Sequence, residues 1–224
     1  MLLQFQKGDI VRHLGLLDLQ RTMQRALRRS GLPVTYSKGF NPHIVMSFAS
    51  ALSSGIPGDA ELLDVSLSAE VEEADCLQAM NRVLPPALSA SRVRLVDDRF
   101  PKVSASLRYA EYRIVLWGSG AKAIVSSIDD FLAKDEIMAI RKTKKNETLV
   151  NIRPMIRELR ILQENAGSAV LTACVSFTEQ ATLKPDLLIQ TLCEHAGVQP
   201  DRCEIRRTRL LGLVDDQAVP LIDM

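Results

Sequence analysis

LLDLQRTMQRALRRSGLP, residues 16–33, is the stretch on which the fold reading turns. Leu16, Leu19, Met23 and Leu27 recur three or four residues apart, which predicts a helix with one apolar stripe for burial. Gly31 and then Pro33 end it. Arg21, Arg25, Arg28 and Arg29 fall at i, i+4, i+7 and i+8, which puts four cations on one face, beside or opposite that stripe. Such a helix needs an apolar surface to cover, and the flanking sequence offers strands.

Upstream, LLQFQK (2–7) reads as a strand that continues through DIVRHL (9–14). Downstream, IVMSFA (44–49) and ELLDVSLSA (61–69) read as strands. EEADCLQAMNRVL (72–84) reads as a second helix with carboxylates at its positive end, and SASRVRLVDD (89–98) as a closing strand. The polar segment DDRFPKVSAS (97–106), with Pro101, separates this half from the next. There, SLRYAEYRIVLW (106–117) is a strand and GAKAIVSSIDDFLAK (120–134) a helix. EIMAIRKTKK (136–145), ETLVNIRPMIRELRIL (147–162) and SAVLTACVSF (168–177) are strand-like, with a turn at Lys145–Asn146. KPDLLIQTLCEHAG (184–197) is a helix with Pro185 in its first turn, and DRCEIRRTRLLGLVD (201–215) closes the pattern. The expected fold class is α+β, with two tandem ferredoxin-like (β-α-β-β-α-β) halves at residues 1–99 and 100–224.

Apolar residues make up 46% of the 224, enough to build a sizeable core. No apolar run reaches the ~18 residues of a membrane span, and the opening MLLQFQKGD lacks the pattern of a secretory signal. The expectation is a cytoplasmic protein without a membrane role. Cys76, Cys174, Cys193 and Cys203 are scattered, without metal-ligand spacing, so they read as reduced thiols, with neither metal nor cofactor expected. A nucleophile elbow, a Walker loop and a dinucleotide fingerprint are all missing. GSGAK (118–122) opens a helix and is too short a signal for an anion site. Asp129–Asp130 reads as a helix face and Asp215–Asp216 as a tail.

The net charge of +1 gives no global pull toward a polyanion, but the local balance is uneven. Residues 1–48 carry seven Lys/Arg against two Asp, whereas residues 49–81 carry seven Asp/Glu and no cation. Two further basic clusters follow: Arg141, Lys142, Lys144, Lys145, Arg153 and Arg157, then Arg202, Arg206, Arg207 and Arg209. Guanidinium forks suit phosphates, so the functional reading is a groove for RNA. The competing reading is a set of solvated faces paired with the acidic stretch. With 4% aromatic residues and no RRM signature, base stacking on a sheet is not expected.

YSKGFNPHIVMSF (36–48) then gathers Tyr36, Lys38, Asn41 and His43 around two turn dipeptides. Gly39 suits a positive φ and Pro42 fixes the entry to a strand. His43, at a loop edge, is placed to titrate near neutrality or to contact phosphate.

These residues carry a resemblance. HLGLLDL (13–19), ALRRSGLP (26–33), YSKGFNPHI (36–44) and SFA (47–49) occur in the order and spacing of the radical SAM-linked proteins. NIRPMI (151–156), which contains Arg153, resembles that family's second-half motif. Two departures stand out: Gly15-Leu16-Leu17 intervenes between His13-Leu14 and Asp18-Leu19, and Ile44 replaces a proline. The resemblance implies an accessory protein fused to, or encoded beside, a radical SAM enzyme with a cobalamin-binding region. This chain has no CxxxCxxC with which to hold the enzyme's cluster. The expected function is therefore a non-catalytic binding protein that presents RNA to a radical SAM partner. Its RNA-binding residues would be Arg21, Arg25, Arg28, Arg29, Tyr36, Lys38, Asn41, His43 and Arg153. Two alternatives stand beside it. One is a stand-alone RNA-processing or RNA-modifying enzyme with His43 as general acid or base, helped by Lys38 and Tyr36. The other is a protein–protein adaptor working through the acidic segment 59–75.

Overall fold

In the computed structural model, residues 1–97, 99–142, 146–178 and 180–224 are described. By contact the chain divides into two units, residues 1–107 with 207–224, and residues 108–206. The architecture is mixed α+β with mostly antiparallel strand pairing.

In the first unit, β1 (Leu2–Lys7) is followed by the predicted helix, α1 (Leu16–Ser30). Leu19, Met23, Ala26 and Leu27 are buried, while Leu16 remains 41% exposed, because it sits in the first turn, at the edge of the stripe. Gly31 ends α1 at φ +77°, the left-handed conformation that a helix C-terminus favours and that a residue with a Cβ resists. Next come β2 (Met46–Phe48), β3 (Gly58–Val65), α2 (Glu73–Val83), β4 (Ala90–Arg94) and the single turn α3 (Val103–Ser106). β1 lies between β4 and β3, antiparallel to both, and β2 pairs with the outer side of β3. The strand order is thus β4-β1-β3-β2. Leu3, Phe5, Met23, Leu27, Leu63, Cys76 and Met80 form the centre of the core. The expected continuation of β1 through residues 9–14 does not occur. The chain leaves the sheet at Gly8 and forms a short 3-10 turn over Asp9–Val11.

In the second unit, β5 (Tyr109–Trp117) leads to α4 (Gly120–Ser126) and α5 (Ile128–Leu132), which split the single predicted helix at Ser127. The Ser127 hydroxyl donates to the Ile124 carbonyl and so competes with the helical ladder there. β6 (Met138–Lys142) and β7 (Glu147–Asn151) form a separate hairpin, while the sequence turn signal at Lys145 falls outside the described residues. β8 (Ile156–Asn165), β9 (Ser168–Ser176) and α6 (Pro185–Ala196) follow. β10 (Arg202–Val214) starts in this unit and ends in the first. The order here is β10-β5-β9-β8. Gly118 and Gly120 permit a close backbone approach. A Cβ at Gly120 would lie 2.4 Å from the Gln199 carbonyl oxygen. The GSG signal therefore serves packing.

Asp215–Asp216 is not a tail. Both residues take positive φ, +49° and +62°, and turn the chain from β10 into β11 (Gln217–Pro220), its antiparallel partner. Two consecutive positive φ values match the handedness of a two-residue hairpin loop, and aspartate tolerates them better than most residues.

Within the first unit, Arg207 is buried against Glu61. Its Nε–H donates to Glu61 Oε1 at 2.8 Å and its Nη2 pairs with Oε2. A Cβ at Gly58 would lie 2.5 Å from the Glu61 carboxylate, so the glycine leaves room for this fork. Lys7 is also buried, and its ammonium donates to the Arg12 carbonyl at 2.9 Å. Burial pulls the Lys7 pKa down, the Glu61 charge offsets part of this, and the Arg207 charge adds to it. Glu61→Gln leaves Arg207 uncompensated, and the expected loss is about 3–5 kcal/mol. Urea unfolding of the two proteins checks this, and a loss below about 1 kcal/mol would show the pair to be dispensable.

Candidate functional site

The arginine face of α1 is on the surface. Arg21, Arg25, Arg28 and Arg29 are all exposed. Arg21 pairs with Asp18 at 3.3 Å, both well solvated, which contributes little. Arg29 donates to the Val83 carbonyl at the end of α2. Among the described residues, Arg25 and Arg28 have no carboxylate partner.

The loop after α1 is tied at its base. Tyr36 bridges Ile44, and the Ser37 amide donates to the His43 carbonyl at 2.8 Å. The Ser37 hydroxyl accepts the His43 amide at 3.1 Å and meets His43 Nδ1 at 2.9 Å. With the hydroxyl proton given to Nδ1, the neutral imidazole keeps its own proton on Nε2. Beyond that clasp, Lys38, Asn41 and His43 are exposed, and Gly39 takes φ +126°, which favours glycine. Six Cα steps separate Ser30 from Tyr36, so the loop begins at most roughly 20 Å from the end of α1. The structure therefore gathers Tyr36, Lys38, Asn41 and His43 in one loop next in the chain to the arginine helix. Sequence reasoning passed over Phe40 as a site residue, although it is the aromatic at the tip of this loop.

Arg153 is in the second unit, half-buried, with its Nε–H donating to the Leu132 carbonyl at 2.9 Å. The other two basic clusters are largely engaged. Arg141 donates to the Thr182 carbonyl, Lys142 pairs with Glu147, and Arg157 lies over the Tyr109 ring at 4.7 Å. Lys144 and Lys145 lie outside the described residues. Arg202 covers Trp117, and Arg207 is the buried partner of Glu61. The other two histidines are also held: Arg12 Nε–H donates to His13 Nε2, and Lys134 Nζ meets His195 Nδ1. Cys76, Cys174 and Cys193 are buried, and burial pushes the half-buried Cys203 thiol up to about 11.

A second feature of the first unit is an open groove of about 1170 Å³. Asp64, Glu70, Glu72, Asp75 and Asp97 line it together with Leu67 and Phe100. Burial pushes the Asp64 carboxyl up from its ordinary 3.8, and the Met1 amine charge offsets part of this.

These features define a mixed α+β protein with mostly antiparallel strand pairing, an arginine-faced helix and a clasped polar loop. The chain belongs to the family described as "Uncharacterized protein conserved in bacteria (DUF2344)", whose model matches residues 1–185. No curated protein matches the sequence. Among solved structures, a chain of the "Crystal Structure of a Cbf5-Nop10-Gar1 Complex" is similar with a TM-score of 0.54 and 14% identity, over 93% of this chain and 48% of that one. A chain of the "Structure of H/ACA RNP bound to a substrate RNA containing 2'-deoxyuridine" gives a TM-score of 0.52 and 13% identity, over 93% and 47%. At such identities the likeness is one of fold, and this chain spans about half the length of those it matches. Among the described residues, no helix is long and apolar enough to cross a membrane.

Two outcomes follow. Ser37→Ala removes the side-chain half of the clasp, and a net hydrogen bond of about 1 kcal/mol corresponds to roughly five-fold faster amide exchange at His43. Hydrogen exchange read by NMR tests it, and an unchanged rate would show the hydroxyl to be idle. For Asp64, a folded-state pKa above 3.8 means that stability falls as pH rises through the window from 3.8 to the folded value. Asp64→Asn is therefore more stable than the parent at pH 7, with the advantage fading on acidification to 3.8. Paired unfolding curves across that range decide the sign.

Proposed function

We propose that this chain is a non-catalytic accessory protein that binds RNA and presents it to a radical SAM enzyme. The observation that carries the reading is the arginine face of α1. Arg25 and Arg28 have no carboxylate partner among the described residues, and the clasped loop with Lys38, Asn41 and His43 follows directly in the chain. Backbone phosphates would engage Arg21, Arg25, Arg28 and Arg29, with Tyr36, Lys38, Asn41 and His43 at the loop. Arg153 belongs to this reading as a second contact point, through NIRPMI. The fold likeness to a chain of an RNA-bound complex is consistent with an RNA role. The partner enzyme rests on the motif resemblance of residues 13–49, and a cytoplasmic site of action goes with it.

The fold reading proposed alongside is one ferredoxin-like unit in each half, 1–99 and 100–224. Its support is that the β4-β1-β3-β2 order recurs as β10-β5-β9-β8, with the β6-β7 hairpin inserted. Residues 207–224 are the part of the second half that lies in the first unit.

A protein–protein adaptor is the second reading, favoured by the acidic groove. Its observable would be co-purification of a radical SAM protein that survives ribonuclease and is lost on charge reversal at Glu70 and Glu72. For the RNA reading, log-log salt titration with a single-stranded RNA is the test. Replacing Arg25, Arg28 and Arg29 with alanine is expected to weaken binding and reduce the salt slope by about two. An unchanged affinity and slope would overturn it.

A further inference from the structure

The loop that follows α1 holds an aromatic ring where no fold requires one. Phe40 is fully exposed, at 106% of its reference area. Isolated exposed apolar residues are ordinary on a protein surface, so exposure alone carries nothing. Here the exposure is built in. The Ser37–His43 clasp closes the base of the loop, Gly39 at φ +126° turns the chain just before the ring, and Pro42 limits the backbone just after it. The segment has little freedom to fold the ring back onto the core.

The ring's neighbours in the loop are also specific in kind. Lys38 offers a cation, Asn41 a donor and acceptor pair, and His43 an imidazole, all exposed. Most other aromatics are engaged or covered: Phe5 packs edge-on to Phe48, Phe131 packs against His195, Tyr112 is buried, and Trp117, Tyr109 and Phe100 lie under arginines, while Tyr36, at the base of the same loop, is 46% exposed. Among the described residues Phe40 is the most exposed aromatic, and it stands beside polar groups that can read a base edge.

We infer that Phe40 is a stacking platform for one unpaired base, so that the loop takes a single-stranded or splayed-out nucleotide while the α1 arginines hold the adjoining backbone. This rests on the RNA reading above and narrows its substrate class to unpaired RNA. A base in a duplex is already stacked on its neighbours and offers no free face. Single-stranded segments offer π faces that aromatic side chains accept with little regard to sequence. Asn41 and His43 would add edge contacts, and Lys38 a phosphate contact.

The experiment uses the full chain, a 20-nucleotide mixed-sequence single-stranded RNA and the matching duplex. Phe40→Ala is expected to weaken single-strand binding about ten-fold or more, within the range of one lost base stack. Duplex binding and the salt slope are expected to stay as they were, because no charge is removed. Phe40→Leu, which keeps apolar bulk without a π face, is expected to lose as much as Phe40→Ala, and Phe40→Trp to retain binding. Phe40→Ala binding within two-fold of the parent, while the three-arginine variant fails, would overturn the stacking platform and leave the RNA reading standing. Full binding by Phe40→Leu would overturn it too, by making the contact merely apolar. Loss of a protein partner from Phe40→Ala with RNA affinity intact would reassign the ring to protein docking. Failure of the parent protein to bind either RNA would end both readings.

Discussion

The buried fork between Arg207 and Glu61 is the constraint on which the first unit depends. Two charges removed from water are tolerated only where their geometry repays the desolvation, and here the guanidinium meets both carboxylate oxygens. Arg207 is also paired with Gly58 across the β3–β10 boundary, and its amide donates to the Pro57 carbonyl. One residue thus fixes the register of the returning strand through backbone and side chain together. Lys7 extends the arrangement toward the surface. Its ammonium holds the Arg12 carbonyl, and the Gly55 amide holds the same oxygen at 3.0 Å. The turn carrying Arg12 and His13 is anchored from beneath.

This anchoring separates the charges that build the protein from those left for a ligand. Arg207 looked in sequence like one of four surface cations on the last strand. It is the structural one. Arg141 and Arg153 likewise spend donors on backbone carbonyls of their own unit. The face of α1 is different: four exposed arginines protrude from one helix whose opposite side is committed to the core. A sheet-based aromatic platform is absent from the first unit's described residues, and the ring at the clasped loop stands in another position altogether, on a turn.

Much of this was legible in the sequence, for identifiable reasons. α1 declared itself because its apolar and basic residues each keep helical spacing, and Gly31 and Gly197 marked helix ends through left-handed conformations that favour glycine. The loop at 36–43 was legible as a turn through Gly39 and Pro42. The clasp was not, because a serine hydroxyl reaching a histidine six residues on leaves no periodic trace. The Glu61–Arg207 pair was illegible for a deeper reason: its partners lie 146 residues apart, and each reads as an ordinary surface charge. Ser127 broke the predicted helix through a local hydroxyl bond that competes with the ladder. β11 was missed because an Asp-Asp pair is an uncommon hairpin signal, although the backbone there meets the requirement for two left-handed residues.

The 146-residue separation also governs how the protein comes into being. During synthesis from the N-terminus, Glu61 leaves the ribosome long before Arg207 is made. Until then β3 carries a carboxylate without its guanidinium, at a position that the finished protein keeps dry. The nascent first unit must leave that flank hydrated, while the segment comprising residues 108–206 can gather its own strands in the meantime. Completion waits on a contact of very long sequence separation, the kind whose loop-closure entropy slows folding most. Strand β10 is therefore the latch on the first unit, and that latch stays open until Arg207 has been made.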